Sequence, residues 1–261
     1  MAYQWHYQIT GNRPLPVVVF LHGFLGSHRD FATTIEQLST EFCCLSIDLP
    51  GHGQTRVSGS GNQYDMATTA TALAELLQTL EISQAFLVGY SMGGRLALYL
   101  ALHYPQQFSR VILESASPGL DSEVERQQRS QRDWQLADQL EADFARFLQQ
   151  WYEQPLFHSL RHHPDFPRML HQRAQNNPAE LANSLRYLST GQQPSLWPSL
   201  KTLEQPLLLL VGEQDSKFLR LNQAMVDHCP RAQLTIVPDC GHVIHWEQPE
   251  RFTQIVREFL I

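Results

Sequence analysis

A serine set between glycines, Gly89-Tyr90-Ser91-Met92-Gly93, is the feature of this sequence most able to do chemistry. A hydroxyl is weakly reactive at neutral pH. It needs an imidazole to take its proton, and the imidazole needs a carboxylate to orient it. Asp215, in Gly212-Glu213-Gln214-Asp215, and His242, in Asp239-Cys240-Gly241-His242, supply those groups in the order serine, acid, histidine. The glycines two residues either side of Ser91 permit a sharp turn, so its Oγ is expected to project above a sheet edge with the Met92 N–H facing the same space. Phe24, in Leu21-His22-Gly23-Phe24, is the candidate for a second backbone donor to a developing oxyanion. Alternatives stay open: Asp239 or Glu213 could replace Asp215, and His245 could replace His242 although no glycine precedes it. His242 and His245 lack a third ligand at suitable spacing, and no Cys/His pattern suggests zinc, so neither metal nor cofactor is expected.

These groups need elements that bring them to one edge. Continuous apolar runs occur at 16–21 (PVVVFL), 42–47 (FCCLSI), 85–88, 111–113, 207–211 and 234–237. Continuous rather than alternating apolarity predicts strands buried on both faces, as in a parallel sheet. Helical spacing appears at 66–81, at 95–102 directly after the serine motif, and at 249–260 behind Pro249. Strands alternating with helices predict an open, doubly wound α/β sheet, with Ser91, Asp215 and His242 each just past a strand end. The Asp48–Gly53 segment (DLPGHG) reads as a structural tight turn. From 120 to about 193 the strand pattern stops, and Ser122 with Glu125 predicts a capped helix. The expected organisation is a core of 1–119 and 194–261 carrying a helical lid insertion at 120–193.

The 261 residues carry a formal charge of −7, with 43% hydrophobic and 17% charged residues. This is globular composition, and its acidity argues against nucleic acid as partner. Cations are 17 Arg and two Lys, Lys201 and Lys217, which favours planar carboxylate recognition. The cysteines (43, 44, 229 and 240) read as small hydrophobes, the first residues carry no signal-peptide pattern, and no apolar run is long enough to span a bilayer. A cytoplasmic protein, monomeric or weakly self-associating, is expected. His158 and His162 have metal-compatible spacing, but Pro164 and Pro167 argue against a continuing helix, and the patch reads as solvated lid surface.

The strings HGF, DLPGHG, GYSMGG, GEQD and CGH, in that order, resemble the α/β-hydrolase superfamily over the whole chain. GYSMGGR, LESASPGL, WYEQP and GEQDSKF narrow the resemblance to the 2-succinyl-6-hydroxy-2,4-cyclohexadiene-1-carboxylate synthases. That resemblance implies a lyase that eliminates pyruvate from a small tricarboxylate in menaquinone or phylloquinone biosynthesis. It also implies substrate binding by Arg95, Arg129, Arg173, Trp151 and Tyr90. Arg126 and Arg129 share a predicted helix face and could clamp a carboxylate together, and Arg126 or Arg132 could take the place of Arg129. The competing expectations are a serine hydrolase of esters, thioesters or C–C bonds with the same triad, and a non-catalytic receptor on this fold. A damaged triad would mark the receptor. Arg95 and the lid arginines set the lyase apart from an esterase, since a neutral ester would not need them.

Overall fold

Residues 2–261 are described by a computed structural model. Seven strands form the main sheet, in the order β2 (Tyr7–Thr10), β4 (Cys43–Ile47), β3 (Val17–Leu21), β6 (Ala85–Tyr90), β7 (Phe108–Glu114), β8 (Leu207–Gly212), β9 (Ala232–Val237). All pairings are parallel except that of β2 with β4. A two-residue ladder joins β1 (Tyr3–Gln4) to β5 (Arg56–Val57). The apolar runs became strands because each face of the sheet has its own core. Val18, Phe20, Val88, Ile112 and Leu210 pack into one buried cluster with the C-terminal helix and the lid. Their neighbours Val19, Leu21, Leu87, Leu113 and Leu209 pack into another, with the helices Met66–Thr79 and Met92–His103. This is the period-two alternation of a strand read on both sides. The edge strand β2 (YQIT) is only partly buried, and it was not expected from the sequence.

The helix after the serine spans Met92–His103, so it begins at the residue following Ser91 rather than at 95. Between β7 and β8 the chain forms five α-helices: Glu123–Ala142, Phe144–Tyr152, His158–Arg161, Phe166–Arg173 and Pro178–Tyr187. Ser122 caps the first, accepting from the Glu125 N–H. The long helix packs against Pro178–Tyr187. The loops after β3, β6, β8 and β9 all leave the carboxyl edge of the sheet, beneath these helices. No helix of the described residues is long and apolar enough to cross a membrane.

Candidate active site

β6 ends at Tyr90 and a helix begins at Met92, which leaves Ser91 alone at the corner with φ 49° and ψ −105°. A β-carbon-bearing residue pays conformational energy at positive φ, of order 1–3 kcal/mol. Tight packing holds it there: Gly93 lies so close to β3 that a β-carbon would sit 2.2 Å from the Leu21 carbonyl oxygen. The Ser91 N–H donates to Glu114 O at 2.9 Å, which ties the corner to β7. Met92 opens the helix, so its N–H belongs to the first turn, which has no intrahelical acceptor.

Asp215 caps the helix Ser216–His228 through Oδ1, which accepts from the Phe218 N–H at 3.1 Å. Its Oδ2 lies 2.6 Å from His242 Nδ1. Both side chains are buried. The carboxylate accepts, so Nδ1 carries the proton and Nε2 is left as a base. The competing assignments are placed elsewhere. Asp239 is exposed, and its N–H donates to exposed Glu213 at 3.2 Å. His245 is paired with Glu114 at 2.7 Å, wholly inside the protein.

Ser91, His242, Phe24 and Met92 line one cavity of about 290 Å³ between the sheet edge and the lid. Trp151 closes it from above, its ring centroid 5.1 Å from that of Phe24. The charged wall is lopsided: Arg95, Arg129, Arg132 and Lys217 face Asp133 as the sole carboxylate of the lining. Arg95 is buried, and its hydrogen bonds go to neutral oxygens, Gln193 Oε1 at 2.9 Å and Leu188 O at 2.8 Å. Burial, reinforced by the Arg129 charge, lowers its pKa to about 9. Arg129 Nε is held by both oxygens of Asp133 at 2.8 Å. Lys217 stands at the rim, its pKa lowered by burial and by the Arg129 charge. The sequence reading gave Lys217 no role.

Three of the residues named from the sequence do not line this cavity. Arg126 does not act with Arg129: it binds Glu123 at 2.5 Å and the carbonyls of Leu120 and Asp121, outside the cavity. Arg173 is not in this cavity. It is buried and bidentate to Asp30, at 2.5 and 2.8 Å. Burial alone would lower the Arg173 pKa, but Asp30 raises it above the ordinary value. Tyr90 likewise lies behind Ser91 rather than in the main cavity, against His242 on one side and His245 on the other. Arg173 and Tyr90 border a second, small chamber of about 30 Å³ that also reaches Ser91.

Two loops shape the floor. His22 Nδ1–H donates to the Gly23 carbonyl at 2.7 Å, while its Nε2 accepts from the Leu49 N–H at 2.9 Å. That pair of bonds fixes the tautomer, and burial lowers its pKa. Asp48 accepts four hydrogen bonds: from the N–H groups of His28 and Gln54, and from the Nδ1 atoms of His28 and His6. Burial would raise its pKa, but the bond from His28 and its other partners hold it well below the ordinary range. Gly53 is obligatory beside it, since a β-carbon there would lie 2.2 Å from the carboxylate. The DLPGHG segment is thus a hydrogen-bond hub as well as a turn. Among the described residues, His6, His28 and Asp48 are the group whose ligand-type atoms come within 4.8 Å of one another. Their 2.8 Å contacts are hydrogen-bond distances, and Asp48 is already saturated.

The α/β-hydrolase fold model matches residues 16–249. The chain is 35% identical to the 2-succinyl-6-hydroxy-2,4-cyclohexadiene-1-carboxylate synthase of Serratia proteamaculans, over 96% of this chain and 95% of that one. It is 40% identical to a Bacillus subtilis protein provisionally given the same synthase name, over 93% of this chain and 89% of that one. The solved structure of MenH from S. aureus superposes with a TM-score of 0.92 at 35% identity, covering 98% and 97% of the two chains. The chain belongs to the α/β-hydrolase fold family and, within it, to the 2-succinyl-6-hydroxy-2,4-cyclohexadiene-1-carboxylate synthases.

Proposed function

We propose that this chain eliminates pyruvate from 2-succinyl-5-enolpyruvyl-6-hydroxy-3-cyclohexene-1-carboxylate, with Ser91, His242 and Asp215 as the proton-transfer machinery. The supporting observation is the cavity wall, where four cations and one carboxylate surround the serine and the histidine. A neutral ester has no use for such a wall, whereas a tricarboxylate does.

His242, oriented by Asp215, takes the Ser91 proton as Oγ removes the ring proton beside the succinyl ketone. The electron pair of that C–H bond moves onto the ketone oxygen, giving a dienolate. The N–H groups of Phe24 and Met92 receive this charge, an effect of about 3 kcal/mol per donor. Return of the pair through the ring makes the new C=C bond and breaks the C–O bond. The leaving group, with the proton carried by His242, departs as pyruvate. No acyl-enzyme forms. Arg95 binds a substrate carboxylate, since its buried guanidinium is bonded only to neutral oxygens. Arg129 offers its free Nη groups to a second, and Trp151 packs on the ring. Arg173 and Tyr90 act from behind Ser91 rather than on the substrate's carboxylates. Four buried, unpaired cysteines suit a reducing compartment, and we read the protein as cytoplasmic.

The test is pyruvate release from the enolpyruvyl substrate, generated by the enzyme that precedes it in the pathway and followed with lactate dehydrogenase. Stoichiometric pyruvate is expected. Fast turnover of p-nitrophenyl esters through an accumulating acyl-Ser91, without pyruvate, would replace this reading with the hydrolase.

A further inference from the structure

Asn176 lies in the lid, 85 positions from Ser91 in sequence, and its side chain is buried. All its polar capacity is directed at the core loops and its own turn. Nδ2 donates to Leu25 O at 2.9 Å and to Arg173 O at 3.1 Å, and Oδ1 accepts from the Gly53 N–H at 2.8 Å. Leu25 is one of the few non-glycine residues at positive φ, 68°. Its carbonyl shares a peptide plane with the Gly26 N–H, and that N–H donates to Gly23 O at 3.0 Å. The Gly23 carbonyl shares the next plane with the Phe24 N–H. Peptide planes are rigid, so the bond from Asn176 to Leu25 O fixes the first plane, the Gly26-to-Gly23 bond transmits that to the second, and the second aims the Phe24 N–H. His22 holds the same Gly23 carbonyl from the other side.

We propose that Asn176 is a positioning residue that sets the direction of the Phe24 N–H through the Leu25 and Gly23 carbonyls, and so couples seating of the lid to oxyanion stabilisation. It touches no substrate. The inference rests on the Phe24 donor role proposed above. A donor turned away from the oxyanion is lost in the transition state while ground-state binding by the cations is untouched, so the defect belongs in kcat and not in KM.

Asn176→Asp separates the two ends of the side chain. It has the same shape, keeps an acceptor for the Gly53 N–H, and has no donor for Leu25 O. Asn176→Ala loses both. In the pyruvate-release assay, run well below each variant's melting midpoint, both are expected to lose about ten- to a hundredfold in kcat with KM within about threefold. Should either fail to fold, Asn176→Ser, uncharged and too short to reach Leu25 O, must show the same kcat loss. Wild-type kcat in Asn176→Asp, or a loss confined to KM, overturns the proposal. If the unaltered protein releases no pyruvate, the elimination reading fails separately. The p-nitrophenyl ester rate then reads the same oxyanion donor, and the variants must show the same pattern there.

Discussion

Two acid–histidine pairs lie on opposite sides of the Tyr90 ring, three residues apart at their histidines. Asp215 holds His242 at 2.6 Å and Glu114 holds His245 at 2.7 Å. All four side chains are buried, so neither pairing distance nor burial distinguishes them. What the far side of each ring meets does. His242 borders the cavity with Ser91, beside cations that outnumber the wall's one carboxylate. His245 Nε2 is buried without a partner, its ring packed against Phe31 and Phe252. Nearby Arg173 and Asp30 neutralise one another. The first region holds charge in excess and a reachable base. The second leaves its free imidazole nitrogen sealed among aromatic rings and pairs its Arg173 with Asp30. In the proposed mechanism the same dyad chemistry therefore serves reaction in one place and cohesion in the other.

Mutations on the two sides should fall on different observables. Ser91→Ala and His242→Ala are expected to lower kcat for pyruvate release by about a thousandfold or more. His245→Phe, which replaces one packed ring with another, should leave kcat within a few-fold. Comparable losses from His245→Phe and His242→Ala would erase the distinction. Arg173→Ala strands Asp30 as an unpaired interior carboxylate and should cost about 3–5 kcal/mol of stability, read by urea unfolding. Arg95→Ala, on the cavity side, should instead raise KM about ten- to a hundredfold by removing a charge-assisted bond to substrate. Arg126→Ala should leave KM unchanged. An unfolding cost in Arg95→Ala with no change in KM would move Arg95 to the cohesive side.

The order of Ser91, Asp215 and His242, the proposed catalytic groups, was legible because each follows a strand end in the chain, and apolar runs mark those ends without three-dimensional knowledge. Charge placement was not. Residues 120–190 hold eight Arg against ten acids, so counting gives no positive field there. Folding sorts them: Arg126 is taken by Glu123, while Arg129 and Arg132 turn inward and Lys217 joins from the first turn of the helix after β8. The Asp30–Arg173 pair spans 143 positions, and a local pattern cannot show which buried acid claims a given arginine. Asn176 was invisible for the same reason. The strand β2 escaped notice because four half-exposed residues carry little apolar signal.

The smallest effect concerns a third interior imidazole. His52 is buried against Phe24 and His22, with Nδ1 on Pro50 O at 3.1 Å and Nε2 unpartnered. Burial, reinforced by His22, lowers its pKa from 6.5 to about 3. Above pH 6.5 the ring is neutral whether the chain is folded or not, and its contribution to stability is complete. As pH falls below that value the unfolded chain binds a proton that the folded one refuses, so stability declines until the folded ring titrates. Linkage gives about 1.4 kcal/mol per pH unit, hence about 2 kcal/mol by pH 5. His52→Phe keeps a ring in the same space but has no proton to bind, and groups common to both chains cancel in the difference. Urea unfolding at pH 7.5 and pH 5 should therefore show the stability gap between the two proteins moving by about 2 kcal/mol in favour of the variant at the lower pH. A gap that stays constant would mean that the interior around Phe24 admits a charged ring, and that the floor of the cavity is less closed than its packing indicates.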